Sequence, residues 1–172
     1  MIKLPGFVIH IAIANEYIKK HEKKEVYQEF IKGNILPDIT NEKSITHYGK
    51  SPAYTSLKGF LDNNKIDNSL NRGYFLHLVT DYLFYNHYLD YYVKKDMYHD
   101  YDVLNKYLIE KYKIDLPDIV KDKVFFIEDE TKILTRELAV KIIDEISSLD
   151  LEKIANEVIN NENKWNAYKK LV

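Results

Sequence analysis

Apolar side chains recur at helical spacing from the start of the chain. At 100° per residue, Phe7, His10, Ile13, Ala14 and Tyr17 share one stripe, with Asn15, Lys19 and Glu22 opposite. This predicts a first helix over residues 7–20, with His10 in the middle of its buried face. A shorter helix over 25–32 is expected to stop at Gly33, a residue suited to a left-handed C-terminal cap. Gly33, Pro37, Gly49, Pro52 and Gly59 punctuate residues 33–69, which predicts irregular chain with one short helix near 56–61. So long a connection in a compact domain points to function or to disorder. Residues 70–94 then form the central helix. Tyr74, His77, Asp81, Phe84 and Tyr88 fall on one face, and the other faces are also rich in Leu, Val and Tyr. A helix that is apolar nearly all round belongs inside a bundle. Further helices are expected over 103–112, 136–147 and 151–160, with Thr135 and Asp150 where N-caps stand. Val124, Phe125, Phe126 and Ile127 read as a short strand or as buried coil. With no internal repeat, the expected architecture is all-α: a single-domain multi-helix bundle, residues 1–172, around a central apolar helix.

Composition agrees with that picture. The 172 residues are 45% hydrophobic and 13% aromatic, enough for one domain with a real core. Fifteen tyrosines against five glycines and four prolines favour helices over tight turns. Charge is nearly balanced, 25 basic against 27 acidic residues, so a nucleic-acid partner is not expected. There is no cysteine, which excludes disulfides and thiolate-held zinc and leaves His and carboxylate as metal ligands. The first residues lack the charged, apolar and small-residue regions of a secretory signal. No run of about 18 apolar residues offers a membrane span. The expectation is a soluble cytoplasmic protein.

The chemistry sits in the least polar stretch. His77 and Asp81 are spaced i, i+4, which stacks both side chains on one helix face. An unpartnered carboxylate in apolar surroundings costs several kcal/mol or more. A metal ion would satisfy both side chains, and so would a plain structural His–Asp hydrogen bond. Three further residues bear on the choice. His10 lies on the apolar stripe of the first helix. Asp38 follows Pro37, where the chain is stiffened, and His47 lies in the segment Thr46, His47, Tyr48. Each has a bland reading alone, as a satisfied core histidine, a turn aspartate or a loop histidine. All of them together favour a metal site.

In order and spacing, the joint pattern over about residues 5–90 resembles the zinc-dependent phospholipase C family and the related trinuclear-zinc nucleases. It comprises an early helical His, Gly33-x-x-x-Pro37-Asp38, Thr46-His47-Tyr48 and Gly73-x-x-x-His77-x-x-x-Asp81. The resemblance implies an all-α fold and a phosphoester hydrolase acting on a small-molecule or phospholipid substrate. It makes Asp38, His47, His77 and Asp81 ligands of one zinc, with His10 and the bridging Asp81 holding a second ion. One or two ions are implied, zinc or another divalent transition metal, with Asp38 also serving as the catalytic general base. Secreted members also use a mature amino terminus, exposed by cleavage, as a ligand; with Met1 first and no evident signal, that ligand is not expected here. The family's third ion needs His-x-x-x-Glu after a further His. His87 and His99 stand near those places, but position 103 is Val, and Asp100 or Asp102 would have to substitute. In a continuous helix His87 points about 80° away from His77. His21, at a helix end, reads as a surface residue. Two alternatives stay open. An HD-type phosphohydrolase would use the dipeptide His99-Asp100, and a non-catalytic helical module would hold a metal or a structural polar cluster.

Overall fold

The apolar stripe of the first segment does form a helix, α1 (Phe7–Lys20), in a computed structural model that describes residues 6–169. The amino-terminal stretch, with its expected lack of a signal and of an amino-terminal ligand, lies outside the described residues. The fold is all-α. After α1 come α2 (Tyr27–Ile39), α3 (Lys43–Thr46), α4 (Leu57–Asn63), α5 (Ser69–Leu83), α6 (Lys94–Tyr112), α7 (Asp118–Lys121), α8 (Arg136–Ile146) and α9 (Leu151–Asn160). A 3₁₀ turn covers Pro52–Tyr54 and a π turn Phe84–Tyr88. Among the described residues no helix is long and apolar enough to cross a membrane.

α1 buries Phe7 through Asn15 together with Tyr17, and its last turn carries Lys19 and Lys20, which complement the helix dipole. Lys20 reaches the carbonyl of Asp144 and the hydroxyl of Ser147 at the end of α8. His21 is not a plain surface residue. It caps α1, stacks on Tyr17 at 3.9 Å, and its Nε2 lies 3.1 Å from the Ser147 carbonyl.

α2 corrects the first expectation. It neither starts at 25 nor stops at Gly33, but runs through Gly33 and Pro37 to Ile39. Gly33 is no left-handed cap; it is where α2 crosses α5 backbone to backbone. A Cβ there would stand 1.9 Å from the Leu70 carbonyl oxygen, and one on Gly73 would stand 2.0 Å from that of Phe30. Two glycines facing each other's helix permit the contact, and the Asn34 amide donates to the Gly73 carbonyl across it at 3.3 Å. Pro37 lies in the last turn and costs α2 one backbone hydrogen bond, and the helix ends two residues later.

The central helix is also shorter than its composition predicts. α5 starts with Asn68 capping the Asn71 N–H, and Arg72 in its first turns is clamped by Glu25. After Leu83 one wider turn forms, closed by the Leu89 N–H on the Phe84 carbonyl at 3.1 Å. The chain then turns extended, and α6 begins at Lys94, well before residue 103. Thr135 and Asp150 cap α8 and α9 as expected, accepting from the N–H groups of Leu138 and Lys153. Residues 124–127 form no strand. They run as coil along α6, held by Asn105 on the Phe125 carbonyl and by the Ile127 N–H on the Asp102 carbonyl. Only Val124 of the four is buried.

Candidate metal centre

Four elements bring five ionisable side chains to one buried point. His10 comes from the middle of α1, Asp38 from the last turn of α2, His47 from the C-cap of α3, and His77 with Asp81 from consecutive turns of α5. All five are buried: His47 and His77 show no exposure, and Asp81 is the most exposed at 6%. Backbone carbonyls fix two of the rings. His77 Nδ1 lies 2.7 Å from the Asn34 oxygen, a contact that the glycine crossing makes short enough to form. His47 Nδ1 lies 3.0 Å from the Lys43 oxygen, across one turn of α3. A carbonyl oxygen only accepts, so each Nδ1 carries the proton and each Nε2 points inward. Metal-ligating histidines are oriented in this way by their second nitrogen. α3 is itself anchored, since the Tyr74 hydroxyl donates to the Thr46 carbonyl at 2.6 Å and Thr46 donates to the Pro37 carbonyl at 2.9 Å.

Asp81 is the hub. Its Oδ2 lies 3.0 Å from His47 Nε2 and 3.2 Å from His77 Nε2, while its Oδ1 lies 3.1 Å from His10 Nε2. Asp38 stands further out, with Oδ1 3.6 Å from His47 Nε2 and Oδ2 3.7 Å from His77 Nε2 and 4.0 Å from His10 Nε2. Burial works to raise the Asp81 pKa, but His77 and His10 in their protonated forms, with the hydrogen bonds that protonated His10 and His47 donate, outweigh it and hold the carboxyl well below its usual range. Burial, aided by His77, lowers the pKa of His10. The rings of His10 and His77 stack at 3.7 Å with planes 8° apart, a pairing suited to neutral imidazoles rather than two like charges.

The arrangement leaves buried polar atoms that a cation could pair. His77 Nε2 and His10 Nδ1 are buried polar atoms without a hydrogen-bond partner. With its proton on Nδ1, neutral His77 turns a lone pair toward a carboxylate oxygen 3.2 Å away, so acceptor faces acceptor. The spacing fits an ion. Ligand atoms bound tetrahedrally at about 2.0–2.1 Å lie about 3.3 Å apart, and carboxylate oxygens of Asp38 and Asp81 stand 3.0–3.7 Å from the Nε2 atoms of His47 and His77. Two overlapping groups, His10 with His77 and Asp81, and Asp38 with His47 and His77, each place ligand atoms close enough to share an ion. A nitrogen-and-oxygen set without thiolate suits zinc and other divalent transition metals.

All five residues singled out in the sequence therefore meet. The further candidates do not join them. His87 is exposed and edges onto Tyr88. His99 lies between Asp100 and Asp129, and the Asp100 carboxylate accepts the backbone N–H groups of Lys132, Ile133 and Leu134. The His99-Asp100 dipeptide is thus committed to holding the 132–134 segment on α6. Asp102 is buried on the same helix, outside both metal-competent groups. One participant was missed. Lys43 places its ammonium 2.9 Å from Asp38 Oδ1, and its only sequence signal is its position four residues before His47.

Beside His10 and Asp81 is a cavity of about 10 Å³, the room of one water-sized sphere, bordered by Thr80, Phe84, Tyr85 and Tyr101. Burial pushes the hydroxyls of Tyr85 and Tyr101 well above their ordinary pKa, so both stay protonated. Comparison with protein-family models, with curated proteins and with solved structures gives no match.

Proposed function

We propose that this chain is a metal-dependent phosphoester hydrolase of the kind its sequence resembles, zinc-dependent phospholipase C. The observation that carries the reading is the unpartnered His77 Nε2 within a buried set of three histidines and two aspartates, next to room for one water. A divalent ion bound there lowers the pKa of water and offsets charge developing on phosphoryl oxygens. The protein's own groups have separate tasks. Asn34 and Lys43 lock the His77 and His47 rings through backbone carbonyls. Asp81 divides its two oxygens between His10 on one side and His47 with His77 on the other. Asp38 gives Oδ1 to Lys43 and keeps Oδ2 toward the histidines, where it accepts the proton of the attacking water. Neutral Tyr85 and Tyr101 border the small cavity beside His10 and Asp81. The balanced net charge of -2 supports a small-molecule or phospholipid phosphoester as substrate rather than a nucleic acid.

A second reading, a non-catalytic metal-binding module, is favoured by the burial itself, since Asp38, His47 and His77 are at most 1% exposed. The deciding experiment joins elemental analysis of protein purified without chelator to a screen of phosphodiesters and phosphomonoesters. Bound metal with turnover, and a folded Asp38→Asn protein retaining metal but losing roughly 10²–10⁴-fold in kcat, supports the hydrolase. Bound metal without turnover on either ester class leaves the module, and protein that takes up no metal overturns both.

A further inference from the structure

One peptide group closes the loop between His47 and α4. Its N–H, on Ser56, donates to the His47 carbonyl at 3.0 Å. Its carbonyl, on Thr55, accepts the hydroxyl of Tyr168 at 3.0 Å, from 113 residues further along the chain. Thr55 has no exposure, so loss of the phenol would cost a buried acceptor its partner. His47 turns its own N–H and Nδ1 back to the Lys43 carbonyl within α3. Tyr74 of α5 holds the Thr46 carbonyl directly, whereas the hold of Ser56 on His47 depends on what fixes residues 53–56.

What fixes them is the segment after α9, which is anchored on α5 and the π turn. The Tyr82 hydroxyl accepts from the Ala167 N–H at 3.1 Å and donates to the Ala167 carbonyl at 3.0 Å. The Lys169 N–H donates to Asn86 Oδ1 at 2.8 Å, and the Asn86 amide donates to the Ala53 carbonyl at 3.2 Å. The Tyr168 ring packs on Tyr54 and Tyr82, with centroids 5.7 Å from each. Two routes thus run from residues 167–169 to the loop, one through Thr55 and one through Ala53. Tyr82 follows Asp81, whose Oδ2 lies 3.0 Å from His47 Nε2. The segment therefore joins the loop of one candidate ligand to the helix of another.

We infer that Tyr168 is a positioning residue of the metal centre, setting through the Thr55–Ser56 peptide where His47 stands relative to Asp81. The inference rests on the metal-binding part of the proposed function and is independent of hydrolysis. Hydrogen bonds in series polarise one another, so removing the outer one weakens the inner. Groups that orient a ligand directly are worth about 10–100-fold in metal affinity, and one peptide further out roughly three- to tenfold is expected.

The test loads chelator-stripped protein with cobalt(II), whose visible absorption reports ligand geometry. Tyr168→Phe keeps the ring and removes only the hydroxyl. It is expected to bind cobalt roughly three- to tenfold more weakly than the parent, with an altered spectrum. Asn86→Asp keeps the acceptor for Lys169 but loses the donor to Ala53, and should change both in the same direction. Trp165→Phe loses a bond to Glu157 that lies outside the two routes, and should change neither. In a His47→Ala background Tyr168→Phe should cost nothing further, because the ligand it positions is gone. Parental affinity and spectrum in a folded Tyr168→Phe protein overturn the inference and leave the metal centre standing. So does an equal loss in Trp165→Phe or in the His47→Ala background. Should Tyr168→Phe not fold, parental behaviour of Asn86→Asp overturns the inference in its place. If the parent takes up neither cobalt nor zinc, the metal reading itself fails and this inference with it.

Discussion

His77 belongs to both metal-competent groups, whereas His10 belongs to one, and this asymmetry is testable at the residue scale. His77 is the ring whose inward nitrogen has no partner, whose outward nitrogen is spent on Asn34, and whose face supports His10. His77→Ala is expected to abolish stoichiometric metal binding, because it removes a shared ligand atom that no neighbour replaces. His10→Ala is expected to keep one ion, since Asp38, His47, His77 and Asp81 remain. Inductively coupled plasma analysis of both variants, with circular dichroism to confirm the fold, checks this; equal metal loss in the two would count against a His47-side principal site. The five candidates were legible in the sequence because each is a ligating residue type, and four of them fall on helix stripes or beside a proline. Lys43 was not. It touches Asp38 through a side chain that no search for ligands selects, and it orients His47 through a backbone carbonyl, which carries no sequence signal.

Elements were legible where periodicity and capping agree, and illegible where a single residue type serves two geometries. α1 and α9 show an apolar stripe with ends marked by polarity or by a cap, and the structure places both where the pattern predicts. Gly33 illustrates the other case. Glycine suits both a left-handed cap and a close helix crossing, and only the position of α5 decides between them. The end of α5 was hidden for a related reason: the π turn at Phe84–Tyr88 contains neither proline nor glycine, and its residues stay apolar. The crossing makes a sharp prediction. Gly33→Ala improves intrinsic helix propensity by up to about 1 kcal/mol, yet places a methyl 1.9 Å from the Leu70 oxygen, which is backbone and cannot swing away. A net destabilisation of about 2–3 kcal/mol is expected from the forced separation of α2 and α5. The same separation lengthens the His77–Asn34 contact, so metal affinity should fall even though no ligand is changed. Urea unfolding and zinc titration of the variant read the two effects, and a Gly33→Ala protein as stable as the parent would refute the tight crossing.

At the scale of the whole molecule, the candidate metal centre and the core restrain different parts of the chain. α8 and α9 bury Ala139, Ile142, Ile143, Ile146, Ile154 and Val158 far along the sequence from any candidate ligand, and their stability comes from packing. The segment from the end of α2 to the 3₁₀ turn has less such support, chiefly Ile39 and Tyr48 packed partly buried on the core. Across residues 39–52 only His47 is buried, and α3 buries none of its own four residues. Polar contacts add to this: Thr46 to Pro37, Tyr74 to Thr46, Lys43 to Asp38, His47 to Asp81, the Ser56 N–H to the His47 carbonyl and Asn64 to the Tyr48 hydroxyl. A bound ion adds Asp38 and His47 to that set as ligands tied to α5, so its removal should loosen this part first. In the stripped protein, hydrogen exchange is expected to quicken across residues 38–50 while α8 and α9 stay protected. Global stability should also fall, because an ion that binds only the folded chain contributes about 2.7 kcal/mol at a free concentration 100 times its dissociation constant. For a chain of this size that is a loss of roughly 5–10 °C in Tm. Adding zinc back should restore both, whereas magnesium, which favours oxygen ligands and retains its waters, should restore little. Unchanged exchange across 38–50 on stripping would mean that the polar contacts alone order the segment. The histidine–aspartate cluster would then be a structural polar core rather than a metal centre.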